Sequence, residues 1–127
     1  MDINKYLPKY KLAHRDLLDL SQLTSEEIFE ILYAARATKK RYLVGENSHA
    51  LKGKTVALLF DNVSTRTRIA FELGIRQLGG DFLFLPKRET QLSRGESMKD
   101  TAAMLERYGI SCVVLRGLLQ AEMEGFG

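Results

Sequence analysis

The sequence predicts an α/β fold of three layers, with helices on both faces of a parallel sheet. Three observations carry the prediction. Unbroken apolar runs at Thr55–Phe60, Phe82–Leu85 and Ile110–Leu115 read as buried strands. Helical patterns separate them, and strand, helix, strand, helix, strand is the order of a parallel sheet built from crossovers. Each strand also ends on polar or cationic residues, and parallel strands bring those ends to one edge, where open sheets bind ligands.

The elements follow in chain order. Residues 1–20 show no period. Pro8 opposes a helix at its start, and Leu17, Leu18 and Leu20 are expected to pack an arm onto the domain. Thr24-Ser25-Glu26-Glu27 is a capping box, and the helix it opens carries Ile28, Ile31, Leu32 and Ala35 on one face before ending near Val44–Gly45. A polar loop, Glu46 to Gly53, leads to the first strand, Thr55–Phe60. The next helix spans Thr65 to Leu78, with Ile69, Leu73 and Leu78 facing inward and Gly79-Gly80 as its stop. Beyond the second strand lies a polar, basic loop, Pro86 to Gly95. Ser97-Met98-Lys99-Asp100 then caps a helix whose apolar face is Met98, Ala102, Leu105 and Tyr108. After the third strand and Arg116-Gly117, a last helix is expected from Leu118 to Phe126, still unfinished at Gly127. That ending reads as the front part of a longer protein, a domain of residues 1–127 incomplete at its C-terminus.

Composition excludes several function classes. The 127 residues are 45% hydrophobic and 28% charged, as in a globular domain. No stretch reaches the ~18 apolar residues of a membrane helix, and residues 1–20 lack the apolar centre of a signal peptide. The net charge of +3 comes from scattered bases that do not interleave with aromatics, so a nucleic-acid partner is not expected. The densest basic run, Arg36 to Arg41, closes a helix and suits its dipole as a solvated face. Cys112 is the single cysteine and is read as a buried thiol, which fits a reducing cytoplasm.

The chemistry gathers at Ser64-Thr65-Arg66-Thr67-Arg68, where the first strand gives way to a helix. Free N–H groups and the helix dipole favour an anion there, and guanidinium forks match phosphate oxygens. Lys87, Arg88, Gln91 and Arg94 follow the second strand, and Arg116 closes the third. A small, strongly anionic ligand is the expected occupant. Each piece has a plainer use. Ser64 and Thr65 can act as helix caps, Arg68 can pair with Glu72, and Lys87, Arg88 and Arg94 can form a solvated loop. Arg116 needs a partner at the end of an apolar strand, and a phosphate would serve. Gly53-Lys54-Thr55 is not a P-loop: it precedes a strand, and Ser48 stands where the first glycine belongs. With His14 and His49 remote and no Cys/His cluster, neither a metal nor a cofactor is expected.

The run Phe60-Asp61-Asn62-Val63-Ser64-Thr65-Arg66-Thr67-Arg68 with Ile69-Ala70-Phe71-Glu72 resembles the carbamoyl-phosphate loop of the aspartate/ornithine carbamoyltransferases. Gln77-Leu78-Gly79-Gly80, Gln91-Leu92-Ser93-Arg94-Gly95-Glu96-Ser97, Asp100-Thr101-Ala102 and Arg107-Tyr108 extend the likeness in order. Arg15 to Leu20, Leu51 to Lys54 and the Gln91 segment are closer to the ornithine branch, and Val63 replaces a frequent proline. The resemblance implies the N-terminal, carbamoyl-phosphate-binding domain of that fold, truncated. It implies that Ser64, Thr65, Arg66, Thr67 and Arg68 hold carbamoyl phosphate. Arg66 would bridge phosphate and carbamoyl oxygen, and Arg116 would bind from the third strand. Gln91 would reach the site of a neighbouring subunit in a homotrimer. It further implies that L-ornithine binds through a domain missing from this chain, so that the chain alone would not catalyse, and it places the reaction in arginine metabolism. Two other readings remain open at the level of sequence. One is a carbamoyltransferase acting on putrescine, aspartate or an acylated ornithine. The other is a non-catalytic anion-binding or oligomerisation module.

Overall fold

The computed structural model describes residues 2–9 and 11–126. They form two compact units, residues 1–48 and 49–127, and no helix among the described residues is long and apolar enough to cross a membrane.

The first unit is one long helix, α1 (Ser25–Leu43), with an extended arm laid along it. The capping box forms as expected: the Thr24 hydroxyl accepts from the Glu27 N–H, and the Glu27 carboxylate accepts from the Thr24 N–H. Which face of α1 is buried differs from expectation. Ile28, Ile31 and Leu32 are exposed, whereas Glu27 and Glu30 are buried. The cause is the arm, whose extended backbone brings N–H donors that need acceptors. Ala13 N–H donates to Glu27 at 2.6 Å, Tyr6 Oη to Glu30 at 2.7 Å, and Lys9 N–H to Glu30 as well. Tyr6 also packs on Phe29 and Tyr33. The arm is thus held by polar groups and one ring. Leu17 and Leu20, expected to pack it, stay exposed, and Leu18 is half-buried.

The second unit carries the sheet. Strands β1 (Thr55–Phe60), β2 (Asp81–Pro86) and β3 (Cys112–Arg116) lie in the order β2-β1-β3, all parallel. Val56 sits beside Phe82 on one side and Cys112 on the other. β1 is the centre of the fold, and Val56 to Phe60 are buried throughout. Alternate side chains feed two cores. Val56, Leu58 and Phe60 meet Ile75 of α2 (Thr65–Gln77) on one face. Leu59 meets Leu92, Leu118 and Met98 on the other, the side of α3 (Met98–Arg107) and α4 (Gln120–Glu124). This is the expected three-layer arrangement.

Several details differ. β2 and β3 lie at the edges of the described sheet and are only half-buried. β3 begins two residues later than expected and includes Arg116. Cys112 is exposed at its start, not buried, because among the described residues no strand pairs with β3 on its outer side. On α2, Ile69 and Leu73 are exposed and Ile75 supplies the buried contact, with Leu78 half-buried. The helix is rotated because Arg68 and Arg76 lay their guanidinium groups over Phe84 and Phe82 of β2. On α3, Leu105 is buried and Met98 and Ala102 are half-buried, but Tyr108 is exposed where the helix ends. α4 is shorter than the expected Leu118–Phe126. Leu119 is its N-cap, and Leu118 packs into the core outside the helix.

Candidate functional site

The carboxyl ends of β1 and β3 are bound to each other beyond the ladder. Phe60 pairs with Arg116, and the Asp61 N–H donates to the Arg116 carbonyl at 2.9 Å. The chain after β3 turns at Gly117, whose φ of +78° is strained for any residue with a Cβ. An added Cβ there would meet Asn62 Oδ1 at 2.7 Å, so the two loops lie in close contact.

From Asp61 the chain runs four residues to α2. Ser64 occupies the N-cap position with φ −147°, yet its hydroxyl makes no capping bond. The plain-cap use of Ser64 is therefore not realised. The first backbone bond of the helix runs from the Arg68 N–H to the Ser64 carbonyl at 2.9 Å. Among the described residues, the N–H groups of Thr65, Arg66 and Thr67 and the hydroxyls of Ser64, Thr65 and Thr67 have no partner within the chain. Unbonded donors at a helix start, with the dipole behind them, form a ready cradle for an anion. Ser64 and Thr67 are half-buried; Thr65 and Arg66 are exposed.

The cations at this edge divide into two groups. Arg68 is held by Glu72 at 2.8 Å, so the pairing foreseen as its plainer use is present. Lys87, after β2, bridges Glu122 of α4 at 3.0 Å and Asp61 at 3.4 Å. The hydrogen bond to Glu122 raises the Lys87 pKa above its ordinary 10.5, with Asp61 adding to the effect against partial burial. Glu122 is correspondingly lowered, first by the Leu119 N–H it accepts and then by Lys87. Arg88 faces Glu89 at 3.7 Å in solvent. Arg66 and Arg116, both exposed, have no acidic partner among the described residues. Arg66 and Arg116, beside the unbonded N–H groups, therefore carry uncompensated positive charge at this edge, and Arg94 in the loop after β2 also lacks an acidic partner among the described residues.

Gln91 lies in the loop after β2. It opens a 3₁₀ turn, Gln91–Arg94, and lines a cleft of about 690 Å³ between the sheet and α3. Leu59, Leu83, Leu85, Thr101 and Met104 line the same cleft, and none of residues 64–68 does. Arg94 is exposed on the same turn. The structure thus brings Ser64 to Arg68 and Arg116 to one edge, while Gln91 lines a cleft that none of them lines. Sequence reasoning missed Asp61, Glu122 and Asn62. The nearest signal for them is Gly117 directly after Arg116, since a glycine there marks a tight approach to another loop. Among the described residues, no three His, Cys, Asp or Glu side chains are grouped to hold a metal.

Comparison with known proteins agrees with this geometry. Residues 15–127 match the family described as aspartate/ornithine carbamoyltransferase, carbamoyl-P binding domain. The ornithine carbamoyltransferase of Methanopyrus kandleri is 42% identical over 117 residues, which are 91% of this chain and 37% of that protein. That of Pelobacter propionicus is 49% identical over 94 residues, 74% of this chain and 31% of that one. Among solved structures, ornithine carbamoyltransferase from Pyrococcus furiosus superposes with a TM-score of 0.82 at 40% identity, covering 88% of this chain and 36% of that one. Aspartate transcarbamoylase from Trypanosoma cruzi, in complex with carbamoyl phosphate and aspartate, gives 0.72 at 25% identity, covering 84% and 35%. The chain spans about a third of the length of the relatives it matches. The chain belongs to the aspartate/ornithine carbamoyltransferase family, with residues 15–127 matching its carbamoyl-phosphate-binding domain.

Proposed function

We propose that this chain supplies the carbamoyl-phosphate half of an ornithine carbamoyltransferase, which converts carbamoyl phosphate and L-ornithine to L-citrulline and phosphate. The observation that carries the reading is the pairing of unbonded N–H groups at Thr65 to Thr67 with two uncompensated guanidinium groups, Arg66 and Arg116. In this proposal the N–H groups and the hydroxyls of Ser64, Thr65 and Thr67 hold the phosphate. Arg66 spans phosphate and carbamoyl oxygen, and Arg116 approaches from β3. The neutral ornithine amine attacks the carbamoyl carbon, the carbamoyl oxygen gains charge, the C–O bond to phosphate breaks, and the proton given up by the amine leaves with the phosphate. Fixed cations at both oxygens stabilise that charge without reorganisation.

Ornithine is preferred to aspartate as acceptor because the relatives of 41–49% identity are named ornithine carbamoyltransferases, against 25% for the aspartate enzyme of T. cruzi. The acceptor would bind outside these 127 residues, so the chain alone would bind carbamoyl phosphate and not form citrulline. Gln91 would serve the site of a neighbouring copy in a cytoplasmic homotrimer. Calorimetric titration tests the central claim. Carbamoyl phosphate should bind more tightly than inorganic phosphate, and Arg66→Ala should weaken it. Equal affinity for both, unchanged in Arg66→Ala, would point instead to a non-catalytic anion-binding module. Sedimentation giving only monomer would remove the role proposed for Gln91.

A further inference from the structure

Arg68 lies one turn inside α2 and is engaged on two sides. Its Nε meets Glu72 Oε1 at 2.8 Å, and its guanidinium carbon lies 3.5 Å from the centre of the Phe84 ring. Phe84, on β2, meets Phe60 at the end of β1 edge to face, with centroids 5.6 Å apart and planes at 80°. Glu72, Arg68, Phe84 and Phe60 thus form a continuous chain of contacts from the helix through β2 to the last residue of β1. Between Phe60 and Arg68 lies the whole anion-binding segment.

We propose that Arg68 is a positioning residue and not a ligand: it clamps the first turn of α2 to the sheet, so that the N–H groups of Thr65 to Thr67 stay aimed at the anion. A flat guanidinium suits this task. It can stack on a ring and hold a carboxylate at its edge at once, which an ammonium cannot. The helix needs such a clamp because its first turn lacks the cap that Ser64 could have made, and its Ile69 side chain is exposed, not packed. The inference rests on the carbamoyl-phosphate reading for the identity of the anion, but not for the clamp itself.

The two roles for Arg68 predict opposite results for Glu72→Gln. If Arg68 is a ligand sequestered by Glu72, neutralising Glu72 frees it and binding tightens. If Arg68 is a clamp, the same change loosens the first turn and binding weakens, by about threefold for a partly exposed pair. Arg68→Lys keeps the charge and the pair but loses the flat stack, and a loss of about tenfold is expected. Carbamoyl phosphate is titrated calorimetrically into the chain and both variants. Amide hydrogen exchange is followed without ligand at residues 68–71, whose N–H groups close the first turn of α2, and both variants should exchange faster there than the parent. Tighter or unchanged binding in Glu72→Gln, or parental exchange in both variants, would overturn the clamp. A parent chain that binds no carbamoyl phosphate, while the variants still exchange faster, would remove the ligand's identity and support the clamp.

Discussion

Replacing Arg66 by alanine should cost affinity and almost no stability. Arg66 is exposed at the second position of α2, and its side chain makes no ion pair or hydrogen bond among the described residues. Nothing in the folded chain is lost with it, and no buried charge is left behind. Surface changes of this kind stay within about 0.5 kcal/mol. The bound anion, in contrast, would lose a charge-assisted hydrogen bond, worth about 1.5–3 kcal/mol. At about 1.4 kcal/mol per tenfold, the dissociation constant for carbamoyl phosphate should rise roughly ten- to a hundredfold. Arg116 cannot compensate, because its backbone is fixed by the bond from the Asp61 N–H and its registry with Phe60. Titration calorimetry at low salt measures the affinity, and thermal unfolding of the same samples measures stability. Affinity within threefold of the parent would refute a contact between Arg66 and the ligand. A large loss of stability would refute the claim that Arg66 is unengaged in the fold.

Three further outcomes are expected. Gly117→Ala forces a Cβ into a left-handed backbone, at about 1–2 kcal/mol, and displaces Asn62. Chemical denaturation should show that loss, and phosphate affinity should fall with it, since the moved loop leads to Ser64; parental values of both would refute the contact. Thr101→Val replaces the one buried side-chain oxygen without a partner among the described residues with a methyl group of similar shape. Stability should hold or rise, by up to about 1 kcal/mol, and clear destabilisation would reveal a partner for that hydroxyl. The Lys87–Glu122 bridge sets limits on pH. Glu122 is depressed below its ordinary 4.5, so its contribution is present above that value and lost as pH falls through the lower folded value. Lys87 is raised above 10.5, so its share is complete below 10.5 and lost as pH climbs through the higher folded value. Stability in Lys87→Met should therefore lose part of its dependence at both extremes, which pH-resolved melting curves check.

What was legible in the sequence was what depends on local order. β1, the Thr24 capping box and the Ser97 cap each lie in one short run whose pattern has one physical solution. The rotation of α2 was not legible. Ile69 and Leu73 share a helical stripe, but the helix turns toward Phe82 and Phe84 because Arg68 and Arg76 cover those rings, and nothing in a pattern of apolar residues counts an arginine as a packing group. The buried face of α1 was hidden for a related reason. Glu27 and Glu30 are inside only because an arm from outside the helix brings them donors. For the candidate site, sequence shows several cations near the strand ends but not how they pair, and only the contacts show that Lys87 and Arg68 already hold carboxylates.

The order β2-β1-β3 also has a kinetic consequence. β1 is synthesised first of the three strands and sits in the middle, so it cannot be enclosed until β3 arrives, pairing Val56 with Cys112 across most of the second unit. Closing so long a loop is slow, because its entropy is lost before the contacts form. Arg116 is the last residue of β3, and its carbonyl receives the Asp61 N–H that starts the anion loop. The step that adds β3 is therefore the step that brings the proposed anion site together. An anion added during refolding should leave the early collapse unchanged and slow only the reversal of this final pairing.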